Sequence, residues 1–181
     1  QYTVPAAQQL HWLLKDTALQ VVYDHGGASE SSKNVVWYGE QYTAPFRPKQ
    51  LTHPDIVIAN PALLQIVALI EIEDTTHEPK TLLGDVIATV LGRGVAIGEQ
   101  TKWQIGPWTT LLVFAYMKDT ARQSLYSSRI HYLQEQIHHL LPYMQTNNAG
   151  IHRVILDSFV TQTELNTKLQ HYITDTIRMD E

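Results

Sequence analysis

The sequence predicts an α/β fold, a central mixed β-sheet flanked by helices, and three observations carry that prediction. Short runs rich in Ile and Val, of strand length, recur between residues 35 and 72. Segments with apolar residues at three- and four-residue steps open the chain and alternate with strand-like runs from residue 79 onward. Residues 109–116 (TTLLVFAY) form a near-continuous apolar run, as expected of a strand buried on both faces. Strands that first meander and then alternate with helices imply a sheet of mixed direction between helical layers.

Residues 5–23 read as the first helix, with Leu10, Leu13, Leu14, Ala18, Val21 and Val22 on one face and Pro5 in the first turn. Asp24, His25, Gly26 and Gly27 end it. A strand is expected over 35–42, and an irregular stretch over 43–52, where Pro45 and Pro48 accompany Arg47 and Lys49. Residues 55–59 and 66–72, joined through Asn60 and Pro61, read as a β-hairpin. Pro79 opens a second helix over 79–91, with Leu82, Leu83, Val86, Ile87 and Val90 inward, and Gly92 and Gly94 close it. Residues 95–108 are expected to form a short strand and a loop containing Trp103 and Trp108. After the strand at 109–116 comes a long helix over 120–144, with Tyr126, Ile130, Leu133, Ile137, Leu140 and Leu141 on its apolar face. A turn at Asn147, Asn148 and Gly150, a strand over 152–160 and a helix over 161–179 complete the chain. Thr161 or Thr163 is the expected cap of that last helix. The result is an α-β-β-β-α-β core followed by α-β-α, in a single domain over 1–181.

Composition narrows the function classes. With 181 residues and 44% hydrophobic content, the chain can bury a sizeable core. It has no cysteine, which excludes disulfides and thiolate zinc sites and fits a reducing cytoplasm. No apolar run reaches membrane-spanning length, and no secretory signal is seen, so a cytoplasmic protein with no membrane partner is expected. The net charge of −5 argues against a protein held to nucleic acid by overall electrostatics. It leaves room for an acidic metal centre with a local basic rim.

The hairpin at 53–80 holds three carboxylates that folding does not require. Glu71 and Glu73 share one face of their strand while Ile70 and Ile72 point to the other. If the hairpin folds about Leu63, Asp55 faces Glu71. Like charges at that range raise one another's pKa, and the natural compensation is a hard dication with oxygen ligands, Mg²⁺ (or Mn²⁺) before Ca²⁺. For an isolated Glu-x-Glu, exposed strand-end acids paired with Lys80 or Arg47 would be the better account. Asp55 across the hairpin tips the balance toward a metal site. Asp74 faces away and is structural.

Pro54-Asp55 on one strand, followed by Glu71-Ile72-Glu73 sixteen residues after Asp55 on the next, resembles the signature of the PD-(D/E)XK nuclease superfamily. The element order over 5–116 is also similar to that restriction-endonuclease-like fold. The resemblance implies a Mg²⁺-dependent phosphodiesterase acting on nucleic acid, DNA by preference. Asp55 and Glu71 would be metal ligands. Glu73 stands where the family most often has Lys, and would bind metal or take a proton. Lys80, at the start of the following helix, is the stand-in for the missing cation. The family often places an acid on the first helix, which makes Asp16 a further candidate.

Arg47, Lys49, Lys80, Arg93 and Lys102 are the candidate phosphate contacts. Trp37, Trp103 and Trp108 could stack on bases, although a strand Trp such as Trp37 is more often core. His53 and His77 read as exposed loop residues, and His131, His138 and His139 as a polar helix flank too spread out for a compact zinc site. Asp85, after Gly84, reads as solvated, with an outer-ligand role as the alternative. Three functions are therefore in play. The first is a metal-dependent endonuclease, as a homodimer if it cuts both strands of a duplex. The second is a catalytically inactive nuclease-fold binding or assembly module. The third is an α/β enzyme using its acids without metal. A nucleophile elbow and a phosphate-binding glycine loop are both missing, which removes the common forms of the third.

Overall fold

Residues 60–64 turn the chain back on itself and set the register of the sheet. The Asn60 side-chain oxygen accepts the backbone N–H groups of Ala62 and Leu63, an Asx turn. Leu64 finishes the turn in the left-handed region at φ 52°. The computed structural model describes residues 2–23, 34–38, 50–73, 79–98, 101–118, 123–144 and 150–179. Within them the order is α1 (Thr3–Leu13), β1 (Gln20–Tyr23), β2 (Asn34–Trp37), β3 (Gln50–Thr52), β4 (Ile56–Asn60), β5 (Gln65–Glu73), α2 (Pro79–Val90), β6 (Gly94–Ile97), β7 (Thr101–Tyr116), α3 (Gln123–Met144), β8 (Arg153–Phe159) and α4 (Gln162–Met179).

The described strands form one mixed sheet in the order β1-β4-β5-β7-β6-β2-β3, with β8 also paired to β7. Strands β5, β7 and β8 are parallel, and every other pairing is antiparallel. Strand β7 serves two neighbours along the same edge. Its residues Thr101–Gln104 pair with β6, and Thr110–Tyr116 pair with β8. Gly106 and Pro107 lie between, where proline has no N–H for a ladder. Thr109 bridges the irregularity: its buried hydroxyl accepts the Gly106 N–H at 2.9 Å and donates to the Ile66 carbonyl at 2.7 Å.

Helices α1 and α4 cover one face, packing on Ile56, Ile58, Ile70, Ile72 and Phe114. Helices α2 and α3 cover the other, over Val57, Leu69, Leu111 and Val113. Strands β6, β2 and β3 form a wing that contributes Val35, Val36, Trp37 and Val95 to this second core. The wing packs tightly. Trp37 pairs with Gly94, and a Cβ at Gly94 would fall 2.2 Å from the indole ring. No described helix is long and apolar enough to cross a membrane.

Several expectations are corrected. Residues 20–23 form strand β1 rather than the end of the first helix. Thr17 stops α1: its hydroxyl donates to the Leu14 carbonyl and accepts the Leu19 N–H. The β-branched Val21 and Val22 then pair with β4. Residues 101–108 continue the strand at 109–116 instead of looping. Leu140 and Ile87, expected inward, are exposed. Leu141 takes the core position one residue after Leu140, about 100° further round the helix.

Strand β8 is an edge strand, and Gln134 of α3 covers it. The Gln134 amide nitrogen donates to the Val154 carbonyl at 2.9 Å, and its oxygen accepts the Leu156 N–H, as a neighbouring strand's peptide would. On the opposite face, Asp157 binds Lys168 at 2.8 Å and accepts the Tyr172 hydroxyl at 2.8 Å. Burial alone would lower the Lys168 pKa, but the hydrogen bonds and charges of Asp157 and Glu164 outweigh it and leave it raised. Burial and Asp157 push the Tyr172 hydroxyl up to about 12.

Gln134→Ala uncovers both backbone groups and should cost about 1–3 kcal/mol in urea unfolding, with concentration-dependent association in light scattering. Unchanged stability would show that the amide protects nothing. Lys168 and Tyr172 both hold their protons more tightly in the folded chain, from ordinary values of 10.5 and 10.0. The Tyr172 contribution is therefore complete below about pH 10 and is lost as pH rises toward 12, and that of Lys168 is lost only above its ordinary value. Tyr172→Phe should flatten the alkaline loss of stability in that window.

Candidate functional site

Strand alternation places Glu71 and Glu73 on the α2/α3 face, in line with Leu69, while Ile70 and Ile72 enter the other core. The hairpin register pairs Ile56 with Ile70, so the next position outward sets Asp55 beside Glu71. Asp55 Oδ2 accepts the backbone N–H of Ile72 at 2.8 Å, which ties it to the acid-bearing strand. Strand β3 adds Thr52, whose hydroxyl donates to Glu71 Oε1 at 3.3 Å. Helix α2 lies over the same face and adds a fourth acid. Asp85 lies beside Glu73, and its charge acts on Glu71.

Glu71 is the buried member, only 5% exposed. Burial pushes its carboxyl well above the ordinary value, and the charges of Asp55, Asp85 and Glu73 push the same way. The Thr52 hydrogen bond opposes them without prevailing. Burial also raises Asp85, against the hydrogen bond from Glu73.

The donor set is suited to a hard dication. All four side chains offer oxygen, as Mg²⁺ and Mn²⁺ prefer. Asp85 Oδ2 is buried with no hydrogen-bond partner among the described residues. The arrangement is not a ready-made cage, however. Among the described residues no three His, Cys, Asp or Glu side chains converge closely enough to hold an ion as they stand. Asp55 is turned to Ile72 and Glu71 to Thr52. An ion would have to draw these carboxylates from their protein partners.

The sequence-predicted residues are dispersed differently. Asp55, Glu71 and Glu73 come together. Lys80 is exposed in the first turn of α2. Five residues before Asp85, it lies about 140° round the helix from it. Arg93 follows α2 and lays its guanidinium over the Tyr38 ring at 5.3 Å. Arg47, Lys49, Asp74, His77 and the Lys102 side chain lie outside the described residues. Asp16 is exposed just after α1, the helix on the opposite face from the acids. Trp37 and Trp103 are buried and cannot stack on bases, and Trp108 is exposed but packs at 5.1 Å against His152 near the start of β8. Thr52 was not among the expected site residues, and Asp85 was named only as an alternative outer ligand. Asp85 had a legible signal: it lies three residues after Leu82 and four before the buried Thr89, at the margin of the helix's inward stripe. Thr52 had none, because β3 reaches Glu71 only through the folding of the wing. No known protein family, curated protein or solved structure matches this chain.

The raised Glu71 pKa has a stability consequence. Its folded value lies above 4.5, so ionisation opposes folding, and stability is lost as pH rises from 4.5 through the folded value. Glu71→Gln should therefore stabilise the ion-free protein at pH 8 by about 1 kcal/mol or more, some 2–4 °C in Tm. The advantage should vanish below pH 4.5. A variant less stable than wild type at pH 8 would contradict the burial argument.

Proposed function

We propose that this chain is a Mg²⁺-dependent nuclease of the restriction-endonuclease-like fold, with Mn²⁺ able to substitute, hydrolysing phosphodiester bonds in nucleic acid, DNA by preference. One observation carries the reading. Glu71 is a buried carboxylate in the company of three further acids, and no described Lys or Arg is among the charges acting on it. Such an arrangement is costly without a counter-charge and useful with one. The element order supports the fold reading. Helix α1, strands β1, β4 and β5, helix α2 and strand β7 supply the helix, three strands, helix and strand that the motif calls for, and the two acid-bearing strands are adjacent. The first of the three strands is β1, not the run that starts at residue 34. Strands β2 and β3 are an insertion in that core.

Asp55 and Glu71 would hold the ion, with Glu73 on β5 and Asp85 on α2 available to it. When bound there, a dication supplies Lewis acidity to a phosphodiester and acidifies water beside it. In hydrolysis the water oxygen bonds to phosphorus, the bond to one ester oxygen breaks, and the water proton must be taken up. Glu73 would take up that proton, and the departing oxygen would be protonated from solvent. Burial around Glu71 keeps the reacting charges in a low dielectric, where they interact strongly.

A second reading is a nuclease-fold binding module that does no chemistry. The position of Lys80, away from the acids, favours it, since the family's cationic role is then unfilled. Plasmid DNA and single-stranded RNA incubated with Mg²⁺, Mn²⁺ or a chelator distinguish the two. Divalent-dependent cleavage is expected, with Asp55→Ala and Glu71→Ala reducing it at least about 100-fold while circular dichroism stays unchanged. Cleavage by both variants at the wild-type rate would overturn the assignment. Lys80→Ala should change the rate by less than about tenfold, given its distance round the helix.

A further inference from the structure

Thr52 lies outside the motif, yet its hydroxyl donates directly to the most buried acid in the cluster. A carboxylate 5% exposed has little access to water, so the direction it points is set by its protein donors. Thr52 supplies such a donor from a strand only three residues long. That strand is held in place by β2, where Val36 pairs with Thr52 and Trp37 with Gln50. Strand β2 in turn reaches the other acid's strand. Asn34, fully buried, donates its side-chain amide to the carbonyl of Pro54, the residue before Asp55, at a long 3.4 Å. The inserted wing therefore touches both sides of the cluster, through Thr52 at Glu71 and Asn34 beside Asp55.

We propose that Thr52 is a positioning residue, whose hydroxyl fixes the orientation of the Glu71 carboxylate and so governs how tightly the site takes a divalent cation. The inference rests on the reading of the acids as cation ligands. A partly exposed strand position favours Val at least as well as Thr on packing grounds, so the hydroxyl is the feature that needs a reason. Hydrogen-bond partners of metal ligands commonly govern affinity by 10–100-fold.

Calorimetric titration with MnCl₂ of the wild type, Thr52→Val and Thr52→Ser tests this, with urea unfolding of the ion-free proteins alongside. Thr52→Val keeps the shape and removes the hydroxyl, whereas Thr52→Ser keeps the hydroxyl. The expected result is Mn²⁺ affinity about 10–100-fold weaker in Thr52→Val and within about threefold of wild type in Thr52→Ser. A purely structural role would lower the unfolding midpoint of Thr52→Val and leave its Mn²⁺ affinity intact, which would overturn the proposal. So would equal losses in both variants, since the hydroxyl would then not be responsible. A wild type that takes up no Mn²⁺ would instead remove the cation reading itself, and this role with it.

Discussion

The burial of the Glu71 carboxylate is the constraint on which the rest of the site depends. A single acid at the end of a strand could turn to solvent at little cost. Glu71 cannot, because it is enclosed by α2 and β3 on the face it shares with Leu69. Asp55, Glu73 and Asp85 add their charges to the cost of burying it. The observed hydrogen bonds are what such a group adopts with protein donors alone. Asp55 takes a backbone N–H and Glu71 takes a hydroxyl. Each of those arrangements relieves part of the repulsion, and none supplies positive charge.

The sheet makes this enclosure possible through β7. Because one half of that strand pairs with β6 and the other with β8, the wing and the β8 edge occupy the same side of β7 at different heights. The wing is thereby free to pack on the core beneath α2, and it carries Thr52 to the acids. The opposite face does different work. There α1 and α4 form a core, and the Asp157–Lys168–Tyr172 group is a fully paired ionic network on β8. Paired charges anchor β8 to α4 there, while the acids around Glu71 gather on the other side of the sheet.

Much of this was legible in the sequence, and the failures have physical causes. The hairpin and the neighbourhood of Asp55, Glu71 and Glu73 followed from strand alternation and from turn residues at Asn60, both local properties. The mixed sheet between helices followed from the order of apolar runs. Strand β1 was missed because Ala18, Val21 and Val22 continue a helical spacing, and the Thr17 hydroxyl interrupts it. Strand β7 was cut short because Gly106 and Pro107 look like a loop, although Thr109 carries the pairing past them. Asp85 was undervalued because an acid at the margin of a helix's apolar stripe is normally solvated. Thr52 and Asn34 could not have been found, since their contacts with the acids' strands join residues 19 and 20 positions apart across a wing with no local signature.

The central claim is that these carboxylates form a site for a divalent cation. Anomalous diffraction from crystals soaked in Mn²⁺ tests it most directly. The account predicts a peak between Asp55 and Glu71, with Asp55 swung off the Ile72 N–H to meet it. Crystals that show no peak there, with Asp55 still on the Ile72 N–H, would contradict it.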